Sequence, residues 1–547
     1  MRISNRSTLA VVSIAVISLI AACGTDDAGP TTANTSVVAD PGVDESSESQ
    51  GSLPTAVEAE ASSESVSATV APAGVLRVGE FAPAATFDPA GAQTAQSAYL
   101  AAVYDTLTRQ NASFELEPHL ATSWEALDAN TWQFILRDDV TFHDGTPFDA
   151  EAVKANLDRQ KSAEGNPNTA VFAPISKVTV VDPYTVDVAF GVPAPAFPLE
   201  MSMVMGMMAS PAALDTDMTR APAGSGPWIW NGADSQAGVV EKFDVNPDYW
   251  APELQGVEHI EVYTIADNNA RVNALLAGDI DMAATVRDAQ FAQAKEAGMN
   301  VSSTAAVMPY LLIADRNGDR FEPLGNPLVR EAIGYALDRG AYIDAVHAGL
   351  GDSVGGFYGP NFTEWHNPDL DNAFDYDPDR ARELLAEAGY PDGFTIEMPV
   401  MPPISTAVEA FAQMLGQVGI TVEQVQIPAG AIGGYVRGGE AAITWYRALL
   451  YYPGKTFGDF TGPALNPFGL DDVADLEAMI AEANSTLDVE ERKAIFDEVG
   501  AELLNRGVAF PMGHAGQNAA WGSHVTGDVV LGLNMQAPLY YTVRVDG

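Results

Sequence analysis

A single cysteine, Cys23, occurs in the 547 residues of the chain. No intramolecular disulfide can therefore form, and a fold of this length has to be held together by hydrophobic packing. One hydrophobic core rarely grows beyond about 250 to 300 residues. Apolar residues make up 47% of the chain, which is ample for packed domains and excludes wholesale disorder. The sequence predicts a folded body with two lobes.

The charge balance excludes several classes of partner. The chain carries 74 acidic and 27 basic residues, a formal charge of −47. Such a chain repels phosphate backbones and anionic lipids, because affinity for both depends on clustered Lys and Arg. Cys and His do not occur with zinc-binding spacing. We expect no nucleic-acid partner, no metal site and no cofactor.

The N-terminus is typical of a targeting segment. Arg2 and Arg6 precede an apolar run from Leu9 to Ile20, which is too short to span a bilayer, since a spanning helix needs about 20 residues, but suits the core of a signal peptide. The run ends in Ile20-Ala21-Ala22-Cys23-Gly24, which resembles the bacterial lipobox. The alternative is an ordinary secretion signal with an incidental cysteine.

We therefore predict a lipoprotein signal peptide over residues 1–22 and a lipid anchor on Cys23. Residues 23–70 are rich in Ser, Thr, Ala and acids and contain no Lys or Arg. Such a segment cannot bury enough apolar surface to offset the loss of chain entropy, so we predict a flexible tether. These features place the folded body outside the cytoplasm, attached to the cell membrane.

The body mixes predicted strands and helices. In its first half we expect a helix over 97–107 and strands over 75–79, 132–136, 178–181 and 185–188, the last two joined by a turn. In the second half, helix starts are indicated by Asn326 before Pro327, Asp377 before Pro378, and Asp488 with Glu491, the last opening a helix that runs to Leu504.

Several segments, taken together, identify a family. They are Ala126 through Val153 (ALDANTWQFILRDDVTFHDGTPFDAEAV), the GSGPW turn at 224–228, VREA with YALD between Val329 and Asp338, and Tyr376 through Phe394. In this order they resemble the motifs of the family 5 extracellular solute-binding proteins, the peptide and nickel binders of ABC importers. The resemblance runs from about residue 75 to the C-terminus.

The resemblance implies an α/β fold, the type II periplasmic-binding-protein fold, with two lobes joined by two crossovers. Lobe I would comprise 71–312 and 514–547, with an extra subdomain at about 98–220, and lobe II would comprise 317–510. The crossovers would lie near Tyr310 to Arg316 and Phe510 to His514. A ligand would be held between the lobes.

The segment around Trp445 is the predicted ligand site. Trp445, Tyr446, Arg447 and Tyr452 match the place where the family presents aromatic rings to the cleft, and amphipathic rings beside a cation suit stacking and hydrogen bonding. The alternative is that these rings simply pack under the lobe. Further candidates lie in or near loops that face the cleft in the family: Phe81, Tyr310, Tyr358, Arg437 and His514.

Arg447 bears on the charge of the ligand. In the peptide binders of the family an Asp shortly after the matching Trp pairs with the ligand's ammonium group, whereas here no acid follows Trp445 until Asp459. A cation in a desolvated cleft attracts a carboxylate and repels an ammonium. We therefore expect Arg447 to meet an acceptor and the ligand not to need a free α-amine. An acid contributed by another segment would restore an ammonium partner.

Other residues of chemical interest have structural explanations. His143 and Asp144 are unlike a catalytic base with its orienting partner, because neighbouring side chains on a strand point to opposite faces. A methionine cluster could bind copper(I), but methionine also fills irregular cores; its members are Met201, Met203, Met205, Met207 and Met208. An acidic loop at Asp369, Asp371, Asn372 and Asp375 lacks the glycine and bidentate glutamate of a calcium loop. We interpret His366 as structural as well.

The sequence thus predicts a non-enzymatic binding protein, anchored to the membrane, that captures a small solute outside the cell. The protein would act as a monomer and deliver the solute to an ABC permease, with the ligand-loaded, closed form preferred by the permease. A secreted hydrolase is the alternative from another class, although H-E-x-x-H and a catalytic Cys are missing. A ligand-sensing lipoprotein without a transport role is the third hypothesis.

Overall fold

The computed structural model describes residues 71–92, 97–111, 114–164, 166–284, 286–428, 430–450, 452–527, 529–531 and 538–546. The signal peptide, Cys23 and the tether lie outside these residues, so they stay predictions. None of the described helices is long and apolar enough to cross a membrane.

The helices follow one another along the chain as α1 (Ser97–Val103), α2 (Ala150–Ser162), α3 (Thr169–Phe172), α4 (Phe197–Glu200), α5 (Asn268–Ala277), α6 (Asp288–Glu296), α7 (Pro327–Tyr335), α8 (Arg339–His347), α9 (Pro378–Glu387), α10 (Ser405–Gln417), α11 (Ile432–Arg437), α12 (Pro453–Thr461), α13 (Ala474–Ser485) and α14 (Val489–Asn505). The strands are β1 (Val75–Glu80), β2 (Thr108–Gln110), β3 (Leu116–Pro118), β4 (Ala121–Asp128), β5 (Thr131–Leu136), β6 (Ile175–Asp182), β7 (Thr185–Phe190), β8 (Trp228–Trp230), β9 (Val240–Val245), β10 (His259–Thr264), β11 (Met282–Ala283), β12 (Asn300–Ile313), β13 (Gly351–Asp352), β14 (Phe394–Val400), β15 (Ile420–Gln426), β16 (Ile443–Leu449), β17 (Ala509–Pro511), β18 (His514–Trp521), β19 (Val525–Thr526), β20 (Val530–Leu531), β21 (Pro538–Leu539) and β22 (Arg544–Val545).

One ten-stranded sheet organises the molecule. Its order is β16-β12-β18-β11-β1-β10-β9-β8, with β13 also paired to β18 and β17 to β12. Strand β1 runs parallel to β10 and β11, whereas β12 and β18 are antiparallel to each other. Leu76 and Val78 of β1 are completely buried, as expected for a strand covered on the face that these alternating side chains share. The two long strands β12 and β18 link β16 to the group around β1.

A separate sheet of four strands, in the order β4-β5-β7-β6, lies within the segment expected to form the extra subdomain. Its apolar side chains, among them Phe134, Val186 and Val188, are fully buried and pack with helix α2 residues such as Val153 in one hydrophobic cluster. The sheet places the motif region between Ala126 and Val153 in a packed framework rather than in an open loop.

Two larger hydrophobic clusters occupy different stretches of the chain. One is built from residues between Met308 and Met512, joined by Met203. The other combines residues between Leu76 and Ala284 with residues between Val525 and Val543. These stretches fit the predicted lobe II and lobe I. The described residues from 71 to 546 nevertheless form one compact unit, so the lobe boundaries stay predictions.

The predicted helix starts are confirmed by their caps. The side chains of Asn326, Asp377 and Asp488 each accept a hydrogen bond from a backbone N–H in the first turn of α7, α9 and α14. Such caps act through neighbouring residues only, which is why the sequence reveals them. Helix α14 ends at Asn505, close to the predicted end.

The first predicted helix was too long, because α1 ends at Val103 rather than reaching Leu107. The chain turns at Asp105, whose buried carboxylate accepts hydrogen bonds from Ser225, Tyr249 and Trp250 at 3.0 to 3.1 Å. These partners lie more than 100 residues away, so local sequence could not show them. Tertiary hydrogen bonds therefore end the helix.

The GSGPW turn packs against the end of α1. A Cβ added to Gly224 would lie 2.0 Å from the carbonyl oxygen of Val103, and one added to Gly226 would lie 2.5 Å from its carbonyl carbon. Both distances are far below contact distance, so the close approach of the two backbones requires glycine. Nε2 of His143 lies 2.9 Å from the carbonyl oxygen of Gly226, which gives that histidine a structural contact.

The methionine cluster is divided among the hydrophobic clusters. Met201 and Met208 lie in the subdomain core, Met207 in the cluster around β1, and Met203 in the cluster of residues 308–512. These four are at most 1% exposed, and the fifth, Met205, is partly buried against two of the clusters. Their sulfurs thus fill separate cores, which supports the packing interpretation. In the acidic loop, Asp371 pairs with His366 at 3.1 Å.

Candidate functional site

The register of the central sheet shows how the carboxyl end of β1 lies relative to the carboxyl end of β16. Four residues lie side by side on neighbouring strands of the sheet, because Gly79 of β1 pairs with Ala283, Ala283 with Ala520, and Ala520 with Val301 of β12. Strand β1 runs in the direction of increasing residue numbers on β12. Its carboxyl end therefore points along β12 toward Val307.

Strand β16 approaches from the opposite direction. Ile443 pairs with Ile313 and Leu449 with Val307, so β16 runs toward Val301. Leu449 lies beside Val307, and Gly79 is in register with Val301. The six residue steps between these two positions of β12 correspond to about 20 Å, at about 3.3 Å per residue. The carboxyl ends of β1 and β16 thus face each other across a gap bridged by β12 and β18. In open α/β sheets ligands bind at such carboxyl ends.

Trp445 and Tyr446 lie on opposite faces of β16, as successive residues of a strand must. The indole N–H of Trp445 donates to the hydroxyl of Tyr342 on α8 at 2.8 Å. The ring of Tyr446 lies 5.9 Å from that of Tyr310, its partner across β12. Both Trp445 and Tyr446 are half-buried, so each ring is anchored on one side and keeps some exposed surface.

The structure brings Tyr446 together with Arg437. A Cβ added to Gly433 would lie 3.3 Å from the Tyr446 hydroxyl and 3.2 Å from Nη1 of Arg437. The guanidinium and the hydroxyl therefore converge on the space left by that glycine. Arg447 shares the other face of β16 with Trp445.

Arg437 and Arg447 are both exposed. Within the described part of the chain neither has an ion-pair partner, although the protein has 74 acidic residues and only 27 basic ones. Acids are abundant enough to pair most cations, as in the bidentate contact of Arg506 with Asp475. Two arginines without a carboxylate near the end of β16 are therefore available to an external anion.

Four of the other candidates are held inside the protein. Tyr310 is 2% exposed and packs edge-on against Phe460. Tyr358 donates to the hydroxyl of Thr456 at 2.9 Å in a buried setting. Tyr452 packs between Trp365 and Phe496, away from the Tyr446 contact.

His514, the fourth buried candidate, is completely enclosed at the start of β18. Its Nδ1 lies 2.8 Å from a carboxylate oxygen of Asp352 and its Nε2 lies 3.2 Å from the carbonyl oxygen of Phe357. Both ring nitrogens thus have protein partners. Phe81, in contrast, is half-buried directly after the end of β1, on the edge that faces β16.

One residue of this edge was missed by the sequence analysis. Glu80, the last residue of β1, is 1% exposed. Its Oε2 accepts the backbone N–H of Phe81 at 3.1 Å, and its Oε1 has no hydrogen-bond partner. Burial raises the pKa of Glu80 to about 8, with smaller opposing effects from the Phe81 N–H and the charge of Arg271. The signal in the sequence was an acid directly after the predicted strand 75–79.

The described residues contain no group of three or more His, Cys, Asp or Glu side chains arranged to hold a metal ion. The arrangement that they do offer is a pair of facing strand ends, with amphipathic rings and free cations on one side and a buried carboxyl on the other. Carboxyl ends of strands are where open α/β sheets bind ligands, so these residues are the candidates for a ligand site.

Comparison with known proteins defines the class. Solved structures with the same fold include NikA from Brucella suis in complex with Fe(III)-EDTA, which is 24% identical, has a TM-score of 0.73 and covers 86% of this chain and 100% of its own. The MppA murein tripeptide binding protein in its unliganded open form is 17% identical, with a TM-score of 0.76, covering 87% and 98%. The fold is that of the type II periplasmic binding proteins, as predicted.

The family follows from the sequence. Residues 115–457 match the model of the bacterial extracellular solute-binding proteins, family 5 middle, and this chain belongs to that family. The glutathione-binding protein GsiB of Escherichia coli K12 is 32% identical over 367 residues, which cover 64% of this chain and 69% of that protein. The GsiB protein of Salmonella paratyphi A is 32% identical over 368 residues.

Membership confirms the prediction of a solute-binding protein of the ABC-transporter type. The relatives are solute-binding proteins rather than enzymes. Members of the family act outside the cytoplasm, bind peptides or other small solutes and work with ABC permeases.

Proposed function

We propose that this protein is the lipid-anchored substrate-binding component of an ABC importer, which captures a peptide-like solute between two lobes and delivers it to the permease. The observation that carries the proposal is the register of the central sheet, in which the carboxyl ends of β1 and β16 face each other along β12. Family membership supports it.

The two lobes would meet at the predicted boundaries, lobe I from 71–312 with 514–547 and lobe II from 317–510. The crossovers, near Tyr310 to Arg316 and Phe510 to His514, would then lie where β12 ends and just before β18 begins. A hinge of two strands lets the lobes close as rigid bodies around a ligand. The tether up to residue 70 and the lipid on Cys23 would keep the monomeric binding protein near the permease.

The ligand would carry an acceptor group, preferably a carboxylate, that meets an arginine of lobe II. Arg437 with Tyr446 and Arg447 with Trp445 lie on opposite faces of β16, so they are separate candidates for this role. Each arginine offers a planar donor pair that matches a carboxylate. The name of the GsiB relatives makes glutathione, a peptide with two carboxylates, the first compound to test.

The remaining predicted residues would line or support the cleft. Phe81 would face the ligand from lobe I. Tyr358 and Tyr452 would shape the lobe II side through their buried contacts. Tyr310 and His514 would support the cleft at the two crossovers.

Binding and closure are tested on the purified wild-type protein with glutathione and a tripeptide pool. A ligand at 100 times its dissociation constant should stabilise the folded state by about 2.7 kcal/mol. X-ray scattering should show a smaller radius of gyration with the ligand. A rise in melting temperature without any change in scattering would contradict closure, and a pool without any stabilising member would contradict a peptide-like ligand.

The single variants Arg437→Ala and Arg447→Ala then serve as controls for each other. Removing the arginine that meets the ligand's carboxylate should weaken binding by about 2 to 5 kcal/mol, while removing the other should change affinity little. Equal, small effects of both would contradict an arginine–carboxylate contact.

A ligand-sensing role without transport is the alternative that shares all these binding properties. Uptake distinguishes the two hypotheses. Deleting the gene should abolish import of the identified ligand if the protein serves a permease, and leave import intact if it only senses.

A further inference from the structure

Three polar side chains of the predicted lobe I have a buried atom without a hydrogen-bond partner in the described structure. These atoms are Oε1 of Glu80, the hydroxyl of Ser97 and the hydroxyl of Tyr540. The three residues are at most 2% exposed. Buried polar atoms are nearly always paired in native proteins, so each of these unpaired atoms needs an explanation.

These residues come from distant parts of the chain, and Tyr540 lies near Glu80 at the carboxyl end of β1. Ser97 begins α1, Tyr540 follows β21, and Glu80 closes β1. The charge of Glu80 acts on the hydroxyls of both Tyr540 and Tyr99, which places the two phenols near the carboxyl. The hydroxyl of Tyr99 is engaged, since it donates to the carbonyl oxygen of Ala82 at 2.7 Å.

The protein provides little compensation for a negative charge on Glu80. The cation that acts on it is Arg271, whose guanidinium donates to the carbonyl oxygens of Ile265 and Ala284 and to Oδ1 of Asn268. The phenols around it are neutral donors. A buried carboxyl without a paired cation is costly to keep, and Glu80 lies on the edge where β1 faces β16.

We infer that Glu80 is the ammonium-binding group of the cleft, which receives the protonated amine of a peptide-like ligand with the Tyr540 hydroxyl near it. An ammonium has three donors and no acceptor, so it matches the unpaired Oε1 of Glu80 and the unpaired hydroxyl oxygen of Tyr540. The inference rests on the proposed function, because the lobes must separate for a ligand to reach this site.

The ligand would then be dipolar, with its ammonium toward β1 and its carboxylate toward the arginines near the end of β16. Glu80 would then take the role of the acid that is missing after Trp445. The ammonium partner comes from lobe I rather than from the segment that follows that tryptophan.

Loading would be coupled to proton release. Tyr99, Tyr540 and Arg271 are the titratable groups that act on Glu80, and burial keeps its carboxyl protonated in the empty site at pH 6.5. A ligand ammonium favours the carboxylate. Binding should therefore release about one proton from Glu80 to the buffer, while the ligand's amine keeps its own.

Calorimetry with tripeptides and their N-acetylated counterparts tests the inference. In the wild-type protein, acetylation should weaken binding at least tenfold. In Glu80→Gln the free and acetylated peptides should bind within about twofold of each other. Titrations at pH 6.5 in buffers of different ionisation enthalpy should show proton release for the wild type and none for the variant.

Asp105→Asn is the matched control, because Asp105 is also a buried acid of this part of the chain but is fully hydrogen-bonded. It should retain the preference for the free amine. A preference that survives in Glu80→Gln, or wild-type binding that ignores acetylation, would overturn the inference while leaving the binding function intact. Failure of every peptide to bind would instead overturn the proposed function itself.

Discussion

Replacing Glu80 by glutamine should stabilise the empty protein, and the gain should depend on pH. The pKa of this carboxyl is raised from 4.5 to about 8 by burial. A raised pKa means that the folded state prefers the protonated form. Below pH 4.5 Glu80 is protonated whether the chain is folded or unfolded, and no stability is lost there. As the pH rises to about 8, the unfolded chain gains increasingly from ionisation that the folded protein resists.

The magnitude follows from the same values. One pKa unit corresponds to about 1.4 kcal/mol, so the full penalty at pH 8 and above is about 5 kcal/mol. Glutamine keeps the shape of the side chain and cannot ionise. The difference in free energy of unfolding between Glu80→Gln and the wild type should therefore rise by several kcal/mol between pH 4.5 and pH 8.

Urea-induced unfolding at a series of pH values measures this difference. Glu482→Gln is the matched control, since Glu482 is an exposed acid on α13 and its replacement should leave the pH profile of stability unchanged. A difference between Glu80→Gln and the wild type that stays constant from pH 4.5 to pH 8 would refute the assignment of a buried, uncompensated carboxyl. If Glu80→Gln is more stable but no longer recognises the amine, the stability cost of Glu80 is explained by its role in binding.

Two further predictions concern the anchor and the packing. Cys23→Ala should move the protein from the membrane fraction to the soluble fraction and abolish labelling with palmitate; continued labelling would disprove the lipobox assignment. Gly256→Ala should destabilise the protein by about 2 kcal/mol or more, because the added Cβ would lie 2.0 Å from the carbonyl oxygen of Val543. Gly434→Ala, with open space around its Cβ on α11, should be neutral in the same thermal melts.

The sequence revealed features that depend on neighbouring residues and missed those that depend on residues far away in the chain. Helix caps such as Asn326 and Asp488 depend on the next three residues, and they were predicted correctly. The end of α1 depends on Asp105 and its partners near residues 225 and 250, and it was not. Long-range hydrogen bonds leave no local pattern in the chain.

The candidate site shows the division most clearly. The sequence singled out the segment around Trp445, and its alternation as a strand already separated Trp445 from Tyr446. It could not show that Tyr446 would meet Arg437 beside Gly433, nor that His514 would be enclosed by Asp352. Contacts between separate elements are set by how the elements pack, and many packings satisfy the same local pattern.

The sequence by itself determined the family, the α/β class, the helix starts and the acidic charge of the body, because motifs, caps and composition are properties of neighbouring residues. Only the tertiary structure decided that β1 and β16 point toward each other, since that depends on the register of four intervening strand pairs. Only the tertiary structure left Glu80 buried with one oxygen unpaired. Whether a polar group is satisfied depends on every element packed around it, and no stretch of sequence contains them all.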